Sequence, residues 1–308
     1  MKAMAAGFTH LLLLAVALSA YGHDGGGGID LKPRPAAAAT ALGETGLARI
    51  AGPGGFTSNP ALIACAGTRE ITLGYGGLVE GLPASVTSVS ASMPAGASIE
   101  VPGTGEVGRR FGLAVCLNHG GLELSQGTSW GWNLLSVGAG CRLAPYGSAG
   151  LALKYLISAS DLDGSGVQAF GADVGAVLDL TSRVSLGLAV DNLFGSAAWD
   201  DGQSEAPPTS FSVGGWFGLP YGASGQLSGT VSGANPGKTG IGIAVPVATT
   251  GFSVRAGYIG YGGDYRRYAL TGGFGLKYGG FQLDYGVKVD DDLALGTTHH
   301  VSFGYGLP

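Results

Sequence analysis

Every second residue from Phe281 is apolar: Phe281, Leu283, Tyr285 and Val287, with Gln282, Asp284, Gly286 and Lys288 between them. Successive side chains of a strand point to opposite faces, so this segment builds a sheet with one greasy face and one face of small or charged groups. The same period recurs along most of the chain. Phe111, Leu113, Val115 and Leu117 oppose Gly112, Ala114, Cys116 and Asn118, and Leu135, Val137, Ala139, Cys141 and Leu143 oppose Ser136, Gly138, Gly140 and Arg142. Leu151, Leu153, Tyr155 and Ile157 oppose Ala152, Lys154 and Leu156. Phe170, Ala172, Val174 and Ala176 oppose Gly171, Asp173 and Gly175. Period two over so many segments predicts strands rather than helices. Segments near 84–93 and 223–231 alternate more weakly and are still read as strands.

A greasy face needs either a protein core or lipid beneath it. Two features choose between them. Reading back from the C-terminus, the links at 279–280, 246–250, 218–222, 181–182 and 144–148 are short. Those at 289–298, 260–267, 232–238, 193–209, 159–166 and 119–130 are mostly longer. Short turns at one end and long loops at the other are the habit of outer-membrane barrels, whereas an exported soluble β-sandwich has no reason to sort its loops. The link at 94–109 is long on the short side and breaks the pattern. The second feature is the N-terminus, where Lys2, the apolar run Leu11 to Leu18 and the small residues Ser19 and Ala20 read as a signal peptide. The run is too short to span a bilayer.

Composition agrees. Glycine supplies 60 of 308 residues and charged residues only 12 %, which suits closely packed strands with a face that has little room for side chains. Apolar residues are too plentiful for a disordered chain. The net charge of −5 and the lack of a basic patch give no reason to expect nucleic acid. The expected fold is all-β, a transmembrane antiparallel up-and-down β-barrel of about 14 strands. Residues 1–20 are assigned to the signal peptide, 21–67 to an N-terminal leader and plug segment, and 68–308 to the barrel. Within 36–51 the alanine run predicts a short helix. Asn59-Pro60 predicts a turn, with Pro60 opening a brief helix through Ile63. This segment has two homes open to it, the lumen or the periplasm.

The stretches TSNPALIA, ITLGYGGL, GADVGAVLDLTSRVSLGLAVDNLFG, FSVRAGY and LDYGVKVDDDLALGTTHHVSFGYGL, in that order, resemble the PorV/PorQ-like outer-membrane family. That family lies within the wider group of barrels similar to FadL, the long-chain fatty acid transporter. The resemblance runs from about Leu31 to the C-terminus and implies a 14-stranded barrel with an N-terminal segment inside. It maps the family's asparagine-proline-alanine element onto Asn59, Pro60 and Ala61, and its lumenal polar positions onto Lys154, Asp173, Asn192, Arg255 and Asp284. Pro308 follows Leu307 where an aromatic residue is common, so a terminal assembly signal would rest on Phe303 and Tyr305.

Candidate site residues are therefore the hinge or turn Asn59, Pro60 and Ala61, and the lumen-facing Arg142, Lys154, Asp173, Asp191, Asn192, Arg255, Lys277 and Asp284. Buried charges need partners, so the charged set either pairs internally and with the plug, or orients the head group of a bound amphiphile. Cys65, Cys116 and Cys141 are an odd number. A Cys65–Cys116 bridge inside the lumen is one expectation, and free buried thiols are the other. Asp161-Leu162-Asp163-Gly164 and Asp290-Asp291-Asp292 lack full calcium-loop spacing and read as solvated turns. No catalytic motif, cofactor or metal site is expected. The implied partners are outer-membrane lipid and either a small hydrophobic ligand in transit or, for a PorV-like accessory barrel, secreted protein cargo of a type IX-like system.

Overall fold

The computed structural model describes residues 31, 33, 36–50, 52–65, 68–77, 84–95, 111–123, 129–144, 146–160, 166–232, 237–247, 250–263, 267–291 and 296–307. The stretch read as a signal peptide, residues 96–110 and the Asp161–Gly164 stretch read as a turn lie outside them. The strands are β1 (Arg69–Gly77), β2 (Ala84–Ala95), β3 (Phe111–Glu123), β4 (Ser129–Ala144), β5 (Gly147–Ser160), β6 (Val167–Thr181) and β7 (Val184–Trp199). After these come β8 (Ser204–Glu205), β9 (Ser210–Gly218), β10 (Ser224–Ser232), β11 (Lys238–Val247), β12 (Phe252–Tyr261), β13 (Arg267–Tyr278), β14 (Phe281–Asp290) and β15 (Thr297–Leu307).

All pair antiparallel with their neighbours. β1 pairs with β15, and β6–β7 completes the circle, so 14 strands close into a barrel. The extra strand, β8, has two residues and pairs beside Ala197 and Ala198 of β7. Closure leaves no unpaired strand edge, the condition for a sheet to sit in hydrocarbon. Several strands exceed the length expected from sequence. β4 and β7 have 16 residues each, where a tilted membrane crossing needs roughly 9–11. The predicted weak strands are present as β2 and β10.

The alternation sorts as expected over most of the wall. Leu153 is 54 % exposed while its neighbours Ala152 and Lys154 are each 3 % exposed. Leu73, Val137, Ile241, Val254, Leu270 and Phe303 also stand on the outer face. Aromatic rings of adjacent strands meet there, with Phe281 beside both Phe303 and Tyr305, and Phe274 between Phe252 and Tyr285. One part of the lumen departs from the expectation of small and charged groups. At the long-loop end Trp132, Leu134, Leu156, Val167 and Ala169 point inward and form a buried cluster with Val86, Ala197 and Leu31, flanked by Trp130 and Trp199.

The N-terminal segment lies against the inward faces of the strands. Its helix, α1 (Ala37–Ala41), is buried and packs on β13 and β14, and the 3-10 turn Pro60–Cys65 packs on β3 to β6. The inward glycines make room for its backbone. A Cβ on Gly240, Gly242 or Gly257 would collide with Leu42 and Gly43, and one on Gly150 with Pro60 and Ala61. Near α1 and Pro60 the glycine-lined space inside the wall is thus taken by this segment. The helix is shorter than the alanine run predicts because Gly43 and Glu44 both take positive φ, 68° and 57°. Gly43 also lies so near the carbonyls of Ile241 and Tyr258 that any side chain there would meet backbone at 2.6 and 2.7 Å. Thr271 of β13 holds this corner, accepting from the Gly43 N–H at 3.0 Å and donating to the Ala41 carbonyl at 3.2 Å.

Candidate functional site

The residues singled out from sequence fall into four groups along the inside of the barrel. Asn59, Pro60 and Ala61 form a seat for the N-terminal segment. The Asn59 carboxamide is fully buried and donates to the carbonyls of Leu47 (2.8 Å) and Ala176 of β6 (3.1 Å). Its oxygen accepts the Ala61 N–H at 3.0 Å. One side chain thus ties two passes of the segment to each other and to the wall.

Lys154, Asp173, Asp191 and Asn192 form the second group, on β5, β6 and β7. The Lys154 ammonium, wholly shielded from solvent, meets Asp173 at 2.7 Å. Strict alternation would send Asp191 and Asn192 to opposite faces, yet both are buried. A bulge explains this. Ala172 pairs with Phe194 and Val174 with Val190, so Asp173 alone faces Asp191, Asn192 and Leu193. Asn192 takes φ 52°, a left-handed conformation that asparagine tolerates better than most residues. Its N–H donates to Asp173 at 2.8 Å and its amide to the Pro208 carbonyl at 3.0 Å, while Ser210 donates to Asp191 at 2.9 Å. The Asp191-Asn192 pair inside an otherwise alternating stretch is the sequence signal of the bulge. Ser136 stands opposite Lys154 in the register, and the Ser136 hydroxyl and the Asn192 carboxamide oxygen are buried without a hydrogen-bond partner.

Arg255 and Asp284 make the third group, a pair at 2.6 Å between β12 and β14. Asp284 also accepts from Gln282, and Arg255 donates to the Phe274 carbonyl. Arg142 is in the fourth, at the short-turn end, where it meets Asp179 at 3.3 Å. Asp179 also accepts from Ser185 at 2.6 Å, and Arg49 of the N-terminal segment lies over the Trp216 ring. Lys277 does not belong with the buried charges. It stands exposed beside the turn at 279–280, because the barrel ends one residue after it.

Three further expectations change. Cys65, Cys116 and Cys141 are all free thiols. Cys65 is exposed at the end of its 3-10 turn, whereas Cys116 is buried beside Asn118 on β3, so the Cys65–Cys116 bridge is not formed. Asp290 is a buried group rather than a solvated turn residue, placed between Arg267 at 3.5 Å and Lys288 at 3.7 Å. The third change is the inward apolar cluster, announced by Trp130, Trp132 and Leu134 at period two; a strand begun at 134 leaves out the two tryptophans.

Glu44 was not marked by any motif. Its carboxylate meets Lys238 of β11 at 2.6 Å. Burial pushes the Glu44 carboxyl up, but Lys238, Lys288 and His300 together outweigh it and hold it at about 2, below its usual 4.5. A depressed folded value stabilises above the unfolded pKa, and the contribution is lost as pH falls through the folded one. The melting-temperature difference between the wild type and Glu44→Gln is expected to stay flat from about pH 8 to about pH 5 and to shrink as pH approaches 2. A difference that already disappears near neutrality would contradict this anchoring.

No family model and no curated protein matches the sequence. Solved structures do match its fold. The barrel is similar to the CymD monoaromatic hydrocarbon channel (TM-score 0.65, 12 % identity, 89 % of this chain and 97 % of that one). It is also similar to the toluene transporter TbuX of Ralstonia pickettii (TM-score 0.61, 13 % identity, 91 % and 100 %). A third is a FadL homologue of Pseudomonas aeruginosa (TM-score 0.61, 12 % identity, 89 % and 98 %). The chain has the fold of FadL-like barrels.

Proposed function

We propose that this protein is an exported outer-membrane barrel that admits small hydrophobic molecules. The carrying observation is the apolar cluster inside the long-loop end of the lumen. A water-filled pore has no use for Trp132, Leu134, Leu156 and Val167 pointing inward, whereas an apolar molecule leaving water gains about 25 cal/mol for each Å² it buries there. Leu31 of the same chain, fully buried in that cluster, shows that the space accepts a branched aliphatic group. Beneath it lie Ser136, Lys154 and Asn192, which supply hydrogen-bonding atoms for a polar group on such a molecule. The hydrocarbon channels of like fold support the reading. The outer-membrane lipid of a Gram-negative-type bacterium would meet the apolar outer face.

The test is uptake of radiolabelled toluene and of a long-chain fatty acid by cells that lack their own hydrophobic-uptake barrels and express this protein. Expression is expected to raise uptake of at least one probe, and Trp132→Ser with Leu134→Ser to lower it several-fold. If uptake stays at the background of barrel-free cells, and the purified protein instead brings down a secreted protein with a sorting domain, the PorV-like accessory role replaces transport.

A further inference from the structure

We propose that a second passage, with polar side chains set among apolar ones, runs between the N-terminal segment and the β15–β1–β2–β3 arc of the wall, and that it carries water. The segment packs closely on β4, β5, β13 and β14, but on β1 it leaves the inward residues Glu70, Thr72 and Gly74 only half-buried. Against this arc lies a cavity of about 40 Å³, space for about three waters at 10–15 Å³ each. Thr72, Ser88, Ser90, Asn118, His300 and Ser302 supply its polar lining, and Ala36, Ala37, Gly54 and Thr57 close it from the segment's side. From Thr72 to Gly76 it follows β1 for roughly 14 Å at the usual strand rise. Among the described residues no Asp, Glu, Lys or Arg lines it, so it favours a neutral hydrogen-bonding solute over an ion.

Asn118 makes the case for an occupant. The residue is fully buried, its amide nitrogen donates to the Cys116 sulfur at 3.3 Å, and its carboxamide oxygen has no partner. A buried acceptor left bare is destabilising, and a water in the adjoining cavity removes that cost. Cys116, 2 % exposed and part of the same lining, places a natural thiol on the passage. This path meets the apolar cluster at Val86, but its hydrogen-bonding groups are its own.

Osmotic water permeability of proteoliposomes, followed by stopped-flow light scattering, tests the proposal in a Cys65→Ser, Cys141→Ser background. The permeability per barrel should exceed that of protein-free vesicles, and Ag⁺ should lower it several-fold through Cys116. Adding Cys116→Ser should abolish the Ag⁺ effect, and Ser90→Leu, which fills the cavity, should lower the flow without Ag⁺. Heat-modifiable migration on gels reports folding of each variant, and if Ser90→Leu does not fold, the Ag⁺ comparison decides. Permeability equal to that of protein-free vesicles overturns the proposal. So does an Ag⁺ effect that survives Cys116→Ser. Uptake of toluene or fatty acid is read in a different assay, so the two readings fail independently.

Discussion

Lys154→Met is expected to lower the unfolding free energy of the barrel by about 3–5 kcal/mol, a large share of the stability of any folded chain. The ammonium is sealed from solvent and stands 2.7 Å from Asp173. Removing it leaves a carboxylate buried in the wall with Asp191 nearby. Breaking one side of a buried pair costs far more than removing both, because the charge that remains has lost its partner. The double variant Lys154→Met, Asp173→Asn should therefore recover most of the loss, since an asparagine oxygen can still accept the Asn192 N–H. Urea titration of the folded barrel in detergent micelles measures both. A cost below about 1 kcal/mol for Lys154→Met, or a double variant as unstable as the single one, would show that the pair does not hold β5 to β6.

The second large effect concerns the N-terminal segment. Asn59→Ala removes three hydrogen bonds at once, leaves the Leu47 carbonyl and the Ala61 N–H buried without this partner, and cuts the tie to the Ala176 carbonyl of β6. At 1–3 kcal/mol for an unsatisfied buried group, the loss is on the order of 3 kcal/mol after relaxation. It falls on the seating of the segment rather than on the strand ladders, so the barrel should still form. Conductance in planar bilayers is expected to rise as the segment leaves its seat, and the melting temperature to fall. Asn59→Asp is the informative companion, since its side chain keeps the acceptor for Ala61 but loses both donors. Unchanged conductance and unchanged melting temperature in Asn59→Ala would end the idea that this carboxamide holds the segment in place.

The courses of these two networks through the fold explain what could be read in advance. Alternation is a local property of the chain, so Phe281 to Val287 announced an outward greasy face without reference to any other strand. Loop lengths carried the up-and-down order for a similar reason, because a hairpin link records directly which strands are neighbours. Inward direction followed from parity for Lys154, Asp173, Arg255 and Asp284, and burial of charge made pairing the economical expectation. Parity held at Asp191 and failed at Asn192, which a bulge set by the register of β6 against β7 also turns inward. It also gave no warning of Glu44, whose partner Lys238 lies on a strand far away in sequence.

What the amino-acid order determined alone was the period, and with it which side chains look outward and which look into the enclosed space. That follows from the geometry of one extended backbone. What fills the space was decided only when the strands closed. The inward glycines are equally compatible with an open lumen and with a filled one, since a missing Cβ records room and not its occupant. The closed barrel brings Gly150, Gly240 and Gly257 against the backbone of the N-terminal segment, gathers Trp132 and Val167 into one apolar layer, and leaves the inner face of β1 with space for water. Each of these depends on distances between strands remote in sequence, which no local pattern encodes.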